Sequence, residues 1–231
     1  MTARRDEIAA GLAAVAARVE AACADAGRDP AGVTVIVVTK TFPASDVRLL
    51  AELGVKDVGE NRHQEAVAKV AECSDVPVRW HFVGQLQSNK AAAVARYASA
   101  VHSVDRPRVV DALSRGAQAA GRHIDCLVQV SLDRSSGRGG AIGDDVLRVA
   151  ERVAGAESLR LAGVMAVAPL GADPRPAFGR LETIADAIRT RFPGAEWVSA
   201  GMSGDLETAI AHGATHLRVG SAILGTRPSR V

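Results

Sequence analysis

Residues 33–40 read VTVIVVTK, seven β-branched residues in a row closed by a lysine. β-Branched side chains favour the extended, pleated backbone. A run with no polar alternation marks a strand covered on both faces, as in a parallel sheet flanked by helices. The segment therefore predicts both a buried parallel strand and a single amine placed where that strand ends.

Outward from it, the same kind of segment recurs. Strands are expected at 33–39, 57–59, 80–84, 100–103, 124–130, 160–166, 196–199 and 215–219, with Ala/Leu/Arg stretches of helical period between them. Eight strand-and-helix units within 231 residues predict a single (β/α)8 TIM barrel over residues 1–231, with an open doubly wound sheet as the alternative. No linker or composition break divides the chain. The stretch 131–143, SLDRSSGRGGAIG, and residues 168–176, with Pro169, Pro174 and Pro176, read as loops, the second leading into a helix from about 177. At the N-terminus Ile8, Leu12, Val15, Val19 and Cys23 recur at helical spacing, so 5–26 reads as an extra amphipathic helix docked on the body.

Net charge is +2 with both signs interspersed, which gives no basic footprint for nucleic acid. Asp6, Glu7 and Glu20 argue against a transit peptide, and no run approaches the ~18 apolar residues of a membrane span. Cys23, Cys73 and Cys126 have neither CxxC spacing nor a pairing logic, so a reducing, cytoplasmic setting is expected.

The chain has four lysines against 24 arginines. Lys56, Lys69 and Lys90 fall in connections or helical stretches and read as solvated. Lys40 follows the most apolar strand, at the C-terminal rim where barrels gather their chemistry. An amine held there sheds water, and its neutral, nucleophilic form is favoured; a surface ion pair is the other reading. Two turns near the C-terminus are candidate anion cradles. The first is Gly201-Met202-Ser203-Gly204-Asp205, with Ser203 as candidate N-cap; the second is Gly220-Ser221-Ala222. The loops after strands seven and eight often hold phosphate in barrels, although each turn alone is an ordinary capped connection. Arg218, one residue before the end of strand eight, is placed to enter the barrel mouth or to make a structural ion pair. His212 and His216 do not read as a metal pair, because Gly213 ends the helix that their i, i+4 spacing would need, and no metal site is expected.

VVTKTFP (37–43), GENRHQE (59–65), WHFVGQLQSNK (80–90), HSVDR (102–106), LAGVMAV (161–167), VSAGMSGDLETAI (198–210) and THLRVGSAILGTR (215–227) together resemble the pyridoxal 5′-phosphate (PLP) homeostasis protein family, single-domain relatives of the alanine racemase N-terminal barrel. The match runs in order over almost the whole chain. It implies that Lys40 forms the Schiff base with the cofactor, that Ser203, Gly204, Gly220 and Ser221 hold the phosphate, that Met202 also contacts the cofactor, that Arg218 faces the pyridine nitrogen and that Asn61 lies beside the ring. Phe42, Gln85, Arg138 and Leu224 depart from the usual pattern, and Phe42 and Arg138 put a secondary lysine-based site in doubt.

The resemblance implies intracellular PLP homeostasis or carriage rather than enzymatic turnover, with PLP as ligand and apo-enzymes as transient partners. A two-base racemase needs a second proton donor across the cofactor. The one tyrosine, Tyr97, reads as part of a helix after strand three; His63 and His81 read as satisfied or solvated, and no second domain is recognised, which also favours a monomer. Arg218 cannot keep a ring nitrogen protonated as an acid would. A true PLP-dependent racemase or decarboxylase, and a Schiff-base aldolase acting on a sugar phosphate, stay open as rivals. The first predicts steady-state turnover and the second predicts no coloured cofactor.

Overall fold

The computed structural model describes residues 2–133 and 139–226; Arg138 and the centre of the Gly/Ser-rich stretch, 134–138, lie outside the described residues. Eight parallel strands close into a barrel in sequence order: β1 (Thr34–Val38), β2 (Asp57–Glu60), β3 (Arg79–Phe82), β4 (Ala100–Val104), β5 (Ile124–Gln129), β6 (Leu159–Met165), β7 (Trp197–Ser199) and β8 (His216–Val219). Closure is direct, since β8 pairs with β1 from Thr34 opposite His216 to Val37 opposite Val219. The open-sheet alternative is thereby excluded.

Strand alternation puts Ile36, Val38 and then Lys40 on one side of β1. Gly59 of β2 makes room beside them, because a Cβ there would lie 3.1 Å from Ile36 Cγ2 and 3.4 Å from Val38 Cγ2. The opposite face, with Val37 and Val58, joins the apolar layer under the helices. β6 carries an irregularity where the β5–β6 register shifts after Cys126. Gly163 sits there at φ 153°, its missing Cβ leaving space for the Trp197 carbonyl.

The helices are α1 (Thr2–Asp25), α2 (Ala44–Glu52), α3 (His63–Glu72), α4 (Ser88–Val94), α5 (Pro107–Ala119), α6 (Asp144–Ala154), α7 (Arg175–Arg191), α8 (Leu206–Ala211) and α9 (Ser221–Leu224). The stripe expected on the first helix is its buried face, with Ile8, Val15, Val19 and Cys23 all buried. α9 is only four residues long, too short to cover β8, and α1 packs on α8 and α9 in its place. The N-terminal helix thus completes the outer ring rather than decorating it.

Two expectations need correction. Lys69 is not solvated; it is buried on the inner face of α3, paired with Glu60. Tyr97 is not helical; α4 ends at Val94, and Tyr97 follows in the turn before β4, its ring stacked on His63. Among the described residues no helix is long and apolar enough to cross a membrane, and no group of three or more His, Cys, Asp or Glu side chains could hold a metal ion.

Candidate functional site

At the C-terminal mouth a cavity of about 330 Å³ is lined by Lys40, Asn61, Met202, Ser203, Gly204, Arg218, Gly220 and Ser221, together with Val38, Phe42, Val83, Val167 and Gly225. All eight residues singled out from the sequence therefore face one space, at the small end of the roughly 300–1,000 Å³ typical of ligand cavities. The apolar lining was not anticipated except for Phe42, and Phe42 only as a departure from a pattern. Gln85 lines an adjoining cavity of about 260 Å³ that shares Val167 with the first.

The two glycine turns meet at the cavity's edge. Ser203 is not the N-cap of α8. Asp205 takes that position and accepts the Met202 N–H through Oδ1 at 2.6 Å. Ser203 bridges the turns, its Oγ 3.3 Å from Ser221 Oγ and accepting from the Ala222 N–H at 3.4 Å. Among the described residues no backbone carbonyl accepts from the N–H groups of Ser203, Gly204 or Ser221, which leaves those donors to an anion. A Cβ on Gly204 would meet nothing within 4 Å, whereas one on Gly220 would lie 3.2 Å from the Val38 carbonyl oxygen, so the second turn rests on the end of β1.

Arg218 is buried. Its Nη1 donates to Ser199 Oγ at 2.6 Å and its Nη2 to the Ala166 carbonyl at 2.9 Å. Burial lowers the guanidinium pKa to about 10, against the pull of Asp205, which still leaves it charged near neutrality. From Ser199 a hydrogen-bonded chain crosses the barrel interior through His102 Nδ1 (2.9 Å), His102 Nε2 to His81 Nδ1 (2.9 Å), and His81 Nε2 to Asp57 Oδ1 (2.8 Å). With neutral rings one orientation satisfies every link. The Asp57 carboxylate only accepts, so His81 Nε2 carries a proton; His102 then donates to His81, Ser199 donates to His102, and Arg218 donates to Ser199. Burial, helped by the nearby Arg218 charge, holds His102 far below the usual histidine range, so its ring is neutral, as that direction requires.

Behind Lys40 lies a second buried polar group, also unanticipated. Lys69 Nζ donates to the Thr39 carbonyl at 2.7 Å and to Glu60 Oε1 at 2.5 Å, and Thr39 Oγ1 donates to the same carboxyl oxygen at 2.5 Å. Burial pushes the Glu60 carboxyl upward in pKa against the pull of Lys69, and Glu60 Oε2 has no partner among the described residues. On the other side of Lys40, Thr41 takes φ 70°, the one described non-glycine residue in left-handed backbone, with its N–H donated to Glu65 Oε2 at 3.3 Å. Lys40 is thus carried between a pinned strand end and a strained turn. Tyr97 does not line the cavity; its hydroxyl sits 3.5 Å from His63 Nδ1.

Comparison with known proteins points in one direction. The family model described as "Alanine racemase, N-terminal domain" matches residues 11–228. The chain is 43% identical over 246 residues to the pyridoxal phosphate homeostasis protein of Mycobacterium bovis, covering 98% of this chain and 95% of that protein. Against the Escherichia coli protein of the same name it is 34% identical over 228 residues, with 96% and 97% covered. Among solved structures it resembles PipY of Synechococcus elongatus with PLP bound, at a TM-score of 0.83 and 32% identity over 94% of this chain and all of that one.

Proposed function

This chain belongs to the pyridoxal phosphate homeostasis proteins, within the alanine racemase N-terminal domain family, and from that premise we propose that its cavity holds PLP, attached covalently through Lys40. The observation that carries the reading is the convergence of Lys40, the cradle Ser203, Gly204, Gly220 and Ser221, and the buried Arg218 on one space. Bound PLP supplies an aldehyde to an amine and, with a suitable ring partner, an electron sink. Lys40 Nζ is the attachment point. The cradle N–H groups and Ser221 Oγ hold the phosphate, Asn61 flanks the ring, and Arg218 faces the ring nitrogen as a donor that cannot give up its proton.

The same geometry favours holding over turnover. Among the described residues no lining side chain other than Lys40 is a proton carrier suited to the opposite face of a planar ligand, since Tyr97 is occupied with His63 away from the cavity. We read the protein as a cytoplasmic, monomeric PLP carrier, the barrel acting as one unit, that exchanges its cofactor with apo-enzymes transiently. The test is spectroscopic. Added PLP gives an imine absorbance band and, after borohydride, one stable adduct on the Lys40 peptide; Lys40→Ala abolishes both. Full-stoichiometry adduct in that variant would overturn the assignment, and rapid α-proton exchange from an amino acid on the loaded protein would overturn the carrier role.

A further inference from the structure

Three loops that line the cavity are held from behind by an element that, among the described residues, lines none of it. Arg18 of α1 forks onto Glu207 of α8, Nε to Oε1 at 2.6 Å and Nη2 to Oε2 at 3.0 Å, and its Nη2 also donates to the Ser203 carbonyl at 3.0 Å. Fourteen residues earlier in the chain, Arg4 donates to the Leu224 carbonyl at 3.1 Å, forks onto the buried Asp46 and lies over the Phe42 ring, 5.6 Å from its centroid. Between them Gly11 meets the α9 backbone so closely that a Cβ would sit 2.5 Å from the Ile223 carbonyl oxygen. One helix therefore braces the turn after β7, the turn after β8 and the loop that follows Lys40.

The Arg18 contact has a chemical consequence beyond bracing. The carbonyl it binds and the Gly204 N–H belong to the same peptide group, and that N–H is one of the cradle donors without a carbonyl partner among the described residues. A guanidinium on the oxygen polarises the peptide and strengthens donation from its nitrogen. The charge of Arg18 is thus relayed to an anion in the cradle through one peptide, without Arg18 entering the cavity. We propose that α1 is the strap that sets how tightly the site retains a phosphate monoester, with Arg18 as the positioning residue that acts through the 203–204 peptide. The proposal rests on the PLP reading of the cavity and adds to it the element that governs retention.

The full-length protein is titrated with PLP and, separately, with pyridoxal, which has the aldehyde but no phosphate, following the absorbance change. Arg18→Met is expected to weaken PLP binding roughly fivefold to tenfold, about the net worth of one ordinary hydrogen bond, and to leave pyridoxal within about twofold of wild type. Inorganic phosphate should compete with PLP correspondingly less well. Glu207→Gln, which leaves the Ser203 contact in place, should bind PLP like wild type. Equal weakening for both ligands, or none for PLP, overturns the strap, as does a Glu207→Gln variant that loses as much as Arg18→Met. If Arg18→Met does not fold, Arg18→Lys, which keeps the charge but not the fork, is read by the same two titrations. A wild-type chain that prefers PLP to pyridoxal by nothing overturns the phosphate cradle itself, a result distinct from failure of the strap.

Discussion

A lysine's role depends on which face of its helix it occupies, and Lys69 illustrates how much that decides. Its ammonium is buried against Glu60 and the Thr39 carbonyl, directly behind the strand end that carries Lys40. A buried pair is not strong evidence of net stabilisation, because the desolvation of both charges offsets their attraction. Removing one partner is a different matter. Lys69→Met strands a buried carboxyl whose second oxygen already has no partner among the described residues, and should cost about 3–5 kcal/mol of unfolding free energy. Adding Glu60→Gln, which neutralises the orphan, should recover a large part of that. Urea unfolding of the single and double variants checks both values, and additive losses would mean that the two side chains are not coupled. The sequence carried one signal for this burial that composition masked: Lys69 shares its helix face with the buried Ala66 and Cys73, three back and four on.

At the scale of elements, α1 shows where periodicity informs and where it stops. The stripe Ile8, Leu12, Val15, Val19 and Cys23 predicted both the helix and its docked face, and the helix runs only a few residues beyond the expected start. Gly11 carried no such message, because its importance lies in how near another backbone comes. By intrinsic propensity Gly11→Ala should stabilise α1 by about 1 kcal/mol. Packing acts against this, since the new Cβ would meet the Ile223 carbonyl oxygen at 2.5 Å and its Cα at 2.8 Å, and neither is a flexible side-chain end. Overpacking of that kind costs about 1–3 kcal/mol, so the net effect should be destabilising. A raised denaturation midpoint for Gly11→Ala would show that α1 can shift away from α9 at little cost. The strands were easier, because β-branched runs end sharply at Gly, Pro and charged residues. Even DVGE, unpromising for a strand, sits as β2 because Asp57 and Glu60 each have a charged partner in place.

For the whole molecule, eight strand-and-helix units implied closure, and strand-end positions implied which residues share the mouth. The polar line through the barrel interior was not legible. It joins β2, β3, β4, β7 and β8, and no local pattern records that five such side chains meet. That line makes a prediction about pH. Burial keeps His102 neutral far below the usual range and lowers His216 to about 4. In the unfolded chain both rings titrate near 6.5. The unfolded state therefore binds more protons than the native one below that pH, so native stability is complete above about 6.5 and falls as the pH drops. Each ring contributes a slope of about 1.4 kcal/mol per pH unit, and His216 stops contributing once the pH passes below about 4, where the native ring also takes up its proton. Carboxylates such as Asp57, held below their usual range because His81 and Arg79 outweigh their burial, add their loss only below about pH 4. Urea unfolding at pH 7, 6, 5 and 4 should thus show stability declining from about 6.5 downward rather than first at carboxylate pH. A flat profile between pH 7 and 5 would mean that the interior rings take up protons in the native state as readily as in the unfolded chain. In that case the one-way hydrogen-bond chain from Arg218 to Asp57 could not have the direction assigned to it, because a protonated His102 has no lone pair to accept the Ser199 hydroxyl.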